Sequence, residues 1–314
     1  MTASSYTTPR APVRGAARKT TAAGTCFATR PSLRPSSHVL RCRAMVIKST
    51  RRLYVAADVP AEVEGKRLHA LEEMGDPRTR QRLERLGIRA GWRCLEVGAG
   101  RGSVARWMAE RVGASGRVVA ADIDTRFLTA LDIPCLEVRQ HDVLECDFEP
   151  AHYDVVHCRA LLMHLSSPEL AIRRMAAAVR PGGWLLMEEG DFGAWGAVDP
   201  AYAGAVAFDR ATRAVWDTLH RLEVMDVRFG RRLSTLVDQL HWSDTDHDAH
   251  LRVSHGGDTV GRFWAVTFSS MRSSPLVDAA AITREELDTT LRLLDDPAFA
   301  FLGPIPFSAW CKKP

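Results

Sequence analysis

The segment Cys94-Leu95-Glu96-Val97-Gly98-Ala99-Gly100-Arg101-Gly102-Ser103 constrains the fold more than any other. It sets an acid, Glu96, at the end of an apolar run and three alternate glycines in the turn before a helical stretch. Glycine permits positive φ and lets a ligand approach the backbone, and a helix N-terminus presents unpaired N–H groups. The chain then alternates between strand and helix. Strands are expected at Arg93–Val97, Arg117–Ala121, Leu136–Arg139, Tyr153–Cys158 and Trp184–Glu188. Between them fall helices at Gly102–Val112, Thr125–Leu131 and Pro168–Val179, and a Pro181-Gly182-Gly183 turn. Such alternation implies a parallel sheet.

Before this core, residues 60–87 read as two short amphipathic helices broken near Pro77, forming an N-terminal cap. After it, Val206, Val215, Leu219 and Leu222 recur at helical spacing within residues 199–226, the pattern of an inserted lid helix. A second helix is expected from Arg231 to Leu240, a strand near Ala249–Ser254, helices near Asp258–Met271 and Arg284–Leu294, and a last strand within Phe299–Trp310.

The glycine loop alone is ambiguous, because Gly100-Arg101-Gly102-Ser103-Val104-Ala105 also satisfies the dinucleotide form GxGxxA. Asp122, at the end of the second strand, would accept hydrogen bonds from ribose hydroxyls in either case. Residues 138–164 break the tie. Val138-Arg139-Gln140-His141-Asp142-Val143 places an acid just after the third strand, able to accept from an adenine amine with Val143 against the ring, and Tyr153-Asp154-Val155-Val156-His157 opens the fourth.

From Glu96 through Arg180-Pro181-Gly182-Gly183 the chain resembles the class I S-adenosylmethionine (SAM)-dependent methyltransferase family. A looser resemblance runs from about Tyr54 to the end. The closing Ser308-Ala309-Trp310-Cys311-Lys312-Lys313-Pro314 resembles the tail of bacterial small-molecule methyltransferases, which usually carry Gly where this chain has Cys311. The resemblance implies an α/β, Rossmann-like seven-stranded sheet, mostly parallel with an antiparallel last strand, plus the helical cap and inserted lid helices. SAM would lie across the carboxyl ends of the first, second and fourth strands. Glu96, Gly98, Gly100 and Gly102 would frame its methionine part, Asp122 and Ile123 its ribose, and Asp142 and Val143 its adenine. His157 and Cys158 would lie near the sulfonium, and Arg101 would be placed by its backbone.

Methyl transfer is an in-line displacement at an activated carbon, so the protein mainly aligns a nucleophile and excludes water. If the acceptor is a hydroxyl, a general base helps. His164 and His157 are the catalytic candidates, with Glu188, Glu189 and Asp191 also near strand ends. Trp195, Tyr202, Phe208, Trp216 and Trp264 would either wall an apolar acceptor pocket or join the lid to the sheet. His241, His247, His250 and His255 lack a ligand pattern, and no metal is expected.

The expected acceptor is a small molecule. Residues 1–52 hold eleven Lys/Arg and no acid, which leaves 31 basic against 38 acidic residues in the remainder. An acidic folded part argues against a nucleic-acid surface. No Asn/Asp-Pro-Pro-aromatic motif follows the fourth strand, where His157-Cys158-Arg159-Ala160 stands instead, and Pro134-Cys135 precedes the third strand. No apolar run approaches a membrane span. An NAD-dependent oxidoreductase is the alternative class, although the Tyr-x-x-x-Lys pair of short-chain enzymes is missing; a non-catalytic SAM-binding protein is another. Seven scattered cysteines indicate a reducing compartment. The expected organisation is a disordered leader over residues 1–50, transit-like or an overcalled start before Met45, then a methyltransferase domain over 51–314 with a lid insertion at about 199–240. The location expected is cytoplasmic, or organellar if the leader is a transit peptide.

Overall fold

The computed structural model describes residues 60–272 and 274–314, so the leader lies outside the described residues. The chain opens with α1 (Ala61–Arg85), followed by β1 (Arg93–Val97), α2 (Ser103–Val112), β2 (Arg117–Asp122), β3 (Leu136–Gln140), β4 (Tyr153–Arg159), α3 (Pro168–Ala178) and β5 (Val179–Asp191). An excursion after β5 holds β6 (Gly196–Ala197), α4 (Ala205–Arg221) and α5 (Leu233–Asp238). Then come β7 (Ser243–Ala249), β8 (Val253–His255), α6 (Thr259–Ser270), α7 (Pro275–Ala279), α8 (Arg284–Asp295), β9 (Ala300–Leu302) and β10 (Ile305–Lys312).

Among the described residues, seven strands form one sheet in the order β3-β2-β1-β4-β5-β10-β7. The pairs from β3 to β5 are parallel, and β10 runs antiparallel between β5 and β7. The Rossmann-like sheet with an antiparallel last strand is therefore present. Alternate residues of its central strands feed two cores, as the two-residue period of a strand requires. Cys94, Val118, Val155 and Leu186 pack beneath α2, while Leu95, Val119, Val156 and Leu185 pack with α3 on the other face. A smaller antiparallel sheet, β6-β9-β8, lies beside the excursion.

Several expectations change. The cap is one 25-residue helix that continues through Pro77. An interior proline costs about 3 kcal/mol. Here the helix packs along α2 and α6, with Leu68 and Ala70 buried before the proline and Thr79 and Leu83 after it. The single strand expected near Ala249–Ser254 is instead the end of β7 and the start of β8, with residues 250–252 as the gap between them. Strand β7 reads Ser-Asp-Thr-Asp-His-Asp-Ala, a largely exposed edge whose pairing to β10 leaves no apolar alternation to detect. The short helix after β2 is a single 3-10 turn, Thr125–Phe127, with Asp124 capping it.

Candidate functional site

The turn after β1 is held open by backbone bonds: the N–H groups of Gly98 and Ala99 donate to Ala121 O at 2.8 and 3.1 Å. Gly100 N–H donates to Asp122 Oδ2 at 2.8 Å, and Asp124 N–H to Asp122 Oδ1 at 2.9 Å. Asp122 thus ties the glycine loop to the end of β2, and burial pushes its carboxyl up from the ordinary value. After β3, Asp142 Oδ1 accepts from Leu144 N–H at 2.8 Å, fixing that carboxylate at the turn.

These strand ends surround a cavity of about 350 Å³. Glu96, Gly98, Gly100, Asp122, Ile123, Asp142 and Val143 all line it, as does His164 from the turn after β4. Seven of the ten cofactor residues expected from sequence are thereby brought together. Ile123 is 45% exposed on the lip, apolar surface open to a ligand.

Gly102, His157 and Cys158 are not on that wall. Gly102, at φ +79°, is the residue before α2, and a Cβ there would sit 2.5 Å from Leu131 Cδ1, so its small size serves packing behind the loop. His157 and Cys158 are fully buried within β4. That strand runs on to Arg159, so the cavity wall begins beyond them, at Arg159, Ala160 and Leu161. Burial pushes the Cys158 thiol well above its ordinary value.

The sequence reading missed the cover. Glu64, Leu68, Leu71 and Glu72 of α1 line the cavity beside the glycine loop, with Leu68 Cδ2 3.7 Å from where a Cβ at Gly100 would sit. Their spacing of three to four residues was the available signal. Arg101 is placed by more than its backbone: its guanidinium donates to Gly65 O at 3.3 Å and lies 3.7 Å from Glu72. Helix α1 is further anchored by Asp76, whose Oδ1 accepts from Ser103 Oγ at 3.1 Å and Arg159 Nη2 at 2.8 Å.

Behind the wall lies a buried polar chain. His157 Nδ1 is 2.7 Å from Glu96 Oε2, and its Nε2 is 3.0 Å from Glu188 Oε2. Glu188 also accepts from Thr79, from Arg82 Nη1 at 2.9 Å and from Ser308 Oγ at 2.9 Å, and Arg82 reaches on to Asp248. Burial disfavours a charged His157, but Glu96 and Glu188 outweigh it and push the imidazole up to about 9. Burial likewise opposes ionisation of Glu188, yet His157, Arg159 and Arg82 hold it down to about 2.

The other base candidates divide by environment. Burial and nearby Arg67 lower His164 to about 4, leaving a neutral imidazole at the cavity. Glu189 accepts from the Leu161 and Leu162 N–H groups at 2.9 and 2.6 Å, and burial pushes it up to about 8. Asp191 is paired with Arg231, whose Nη2 lies 2.7 Å from Oδ1, and accepts from Gly193 N–H. Of the aromatics, Phe208, Trp216 and Trp264 are buried in the core that the excursion shares with the sheet. Tyr202 donates to Asp296 at 2.7 Å, and Trp195 is half-buried against Trp216 and Trp264, with ring centroids 5.2 and 4.8 Å away.

Comparison with known proteins agrees with this architecture. The family model described as a methyltransferase domain matches residues 68–241, and the chain belongs to that family. A ubiquinone/menaquinone biosynthesis C-methyltransferase of Laribacter hongkongensis is 32% identical over 113 residues, 34% of this chain and 46% of that protein. A ubiquinone biosynthesis O-methyltransferase of Burkholderia multivorans is 34% identical over 103 residues, 31% of this chain and 43% of its own length. Each match thus spans less than half of the relative. The structure of coclaurine N-methyltransferase bound to N-methylheliamine and SAH shares the fold, with TM-score 0.51 and 12% identity over 91% of this chain and 90% of that one.

Proposed function

We propose that this chain binds SAM in the cavity and transfers its methyl group to a small-molecule acceptor. The observation that carries the proposal is the convergence of acids from three strand ends, Glu96, Asp122 and Asp142, on one cavity beside a glycine loop. The lining holds seven carboxylates (Glu64, Glu72, Glu96, Asp122, Asp124, Asp142, Glu145) against the guanidinium groups of Arg101 and Arg159. A ligand with a sulfonium and an ammonium suits that field, whereas the diphosphate of NAD would meet Glu96 and Asp122 with unlike charge in short supply.

SAM supplies a methyl group activated by positive sulfur. In this reading Glu96, Gly98 and Gly100 hold the amino-acid end, Asp122 and Ile123 the ribose, and Asp142 and Val143 the adenine; Gly102 supports the loop from behind. Helix α1 excludes water above the site, where Leu68 and Leu71 face the cavity with Leu161 and Leu165. A neutral His164 orients an acceptor through a hydrogen bond more readily than it stores a proton, because a group held near 4 is a weak base at neutrality. Relatives named for C- and O-transfer, and a structural neighbour named for N-transfer, share this fold, so the fold selects the cofactor and leaves the acceptor atom to the surrounding residues.

We assign the domain to residues 51–314, with the lid insertion at about 199–240. No helix among the described residues is long and apolar enough to cross a membrane. The described cysteines are free thiols, which supports a reducing setting, cytoplasmic or organellar.

Isothermal titration of the full chain with SAM, S-adenosylhomocysteine and NAD tests the reading. Saturable binding of the first two without NAD is expected, followed by methyl transfer in an acceptor screen. Binding of NAD alone would overturn it, and SAM binding with no transfer to any acceptor would favour a non-catalytic role.

A further inference from the structure

Glu96 is nearly fully buried at the end of β1 yet lines the cavity. A carboxylate in that position costs several kcal/mol to desolvate unless partners compensate. Among the described residues the side chain bonded to it is His157, through Nδ1 at 2.7 Å. His157 in turn is held through Nε2 by Glu188, which is anchored by Thr79 and Arg82 of α1 and by Ser308 of β10. The charges alternate from Glu96 through His157, Glu188 and Arg82 to Asp248, with Arg159 and Asp76 as a further pair alongside.

We propose that His157 is a positioning residue for the cofactor: clamped between Glu96 and Glu188, it holds the Glu96 carboxylate in place at the cavity, where it receives the ammonium of the cofactor's amino-acid end. The proposal rests on the SAM reading above. Two carboxylates on opposite ring nitrogens require both to carry protons, so the ring is an imidazolium that donates in both directions. The elevated titration of His157, to about 9, agrees with that geometry. The same chain links the cofactor's acid to Arg82 on the helix that covers the cavity, so the cover and the acid share one set of charge-assisted bonds. The register explains how the sequence arranges this. Glu96 pairs with His157 across β1 and β4, and side chains of directly paired residues share a face.

The test is His157→Gln, which keeps a donor of similar reach but no charge. Loss of the charge-assisted bond to Glu96 should raise the Kd for SAM at least about tenfold. Affinity for 5′-methylthioadenosine, which lacks the amino-acid end, should stay within about twofold of wild type, showing that the nucleoside half and the fold persist. Unchanged SAM affinity, or equal losses for both ligands, would overturn the proposal. If wild type binds no SAM at all, the cofactor reading fails first. Should the variant not fold, nitrogen-15 spectra of histidine-labelled wild type decide: one imidazole should remain doubly protonated at about pH 8, and none doing so would refute the clamp.

Discussion

Gly100 and Gly102 look equivalent in the sequence, but the structure gives them opposite tasks, so the same substitution at each should separate binding from stability. Both lie in the left-handed region, at φ +56° and +79°, where an L residue costs about 1–2 kcal/mol. At Gly100 a Cβ would meet only Leu68 Cδ2 at 3.7 Å, an ordinary contact on the cavity wall. Gly100→Ala should therefore destabilise by that ~1–2 kcal/mol alone, while its methyl occupies space where a ligand hugs the backbone. Loss of SAM affinity by at least about tenfold, or ~1.4 kcal/mol, is expected. At Gly102 the added Cβ would lie 2.5 Å from Leu131 Cδ1 and 2.8 Å from Leu128 Cδ2, both off the cavity wall. Overpacking adds about 1–3 kcal/mol, so Gly102→Ala should cost ~2–5 kcal/mol in total. Denaturant unfolding gives the stabilities and titration calorimetry the affinities, measured at a temperature where both variants are folded. If Gly102→Ala is no less stable than Gly100→Ala, or if Gly100→Ala binds SAM as well as wild type, this account of the loop is refuted.

Two further outcomes follow from the same geometry. Asp142→Ala removes a charged acceptor from the proposed adenine position and should weaken SAM binding by about 1.5–3 kcal/mol, roughly ten- to a hundredfold, with the fold retained; unchanged affinity by calorimetry would remove Asp142 from the site. Glu189 titrates at about 8 in the fold against an ordinary 4.5, so between those pH values the folded state holds a proton that the unfolded chain has released. Its contribution to stability falls as pH rises through that window, and Glu189→Gln should flatten the decline between about pH 5 and 8 in unfolding experiments; an identical pH dependence in the variant would show that Glu189 is ionised in the fold.

The fold was legible because the central strands are short apolar runs punctuated by glycine and acid. Placing Glu96, Asp122 and Asp142 at one cavity took the order of the strands together with the family resemblance. Where the sequence misled, tertiary contacts had overridden a local rule. Pro77 marked a helix break, but Thr79 and Arg82 beyond it are bonded to Glu188 and hold the helix on course. The edge strand β7 carries alternating acids because neither face meets a core, so it resembled a loop. The buried status of Trp216 and Trp264 depends on α4 meeting α6, a contact between segments far apart in the chain.

His157 shows how cross-strand pairing changes a chemical assignment. Paired with Glu96 across β1 and β4, it lies with its imidazole between two carboxylates, and the turn after β4 lines the cavity in its place. The same arrangement alters what α1 does. A helix that only covered the cavity could open freely, whereas α1 donates Arg82 and Thr79 to Glu188, and through His157 to the acid at the cavity. Opening α1 far enough to break those contacts would leave Glu188 buried without two of its donors, a loss of several kcal/mol. Ligand exchange should therefore proceed at the Glu64–Glu72 end of the helix, where the lining residues lie, with the Thr79–Arg82 end staying docked.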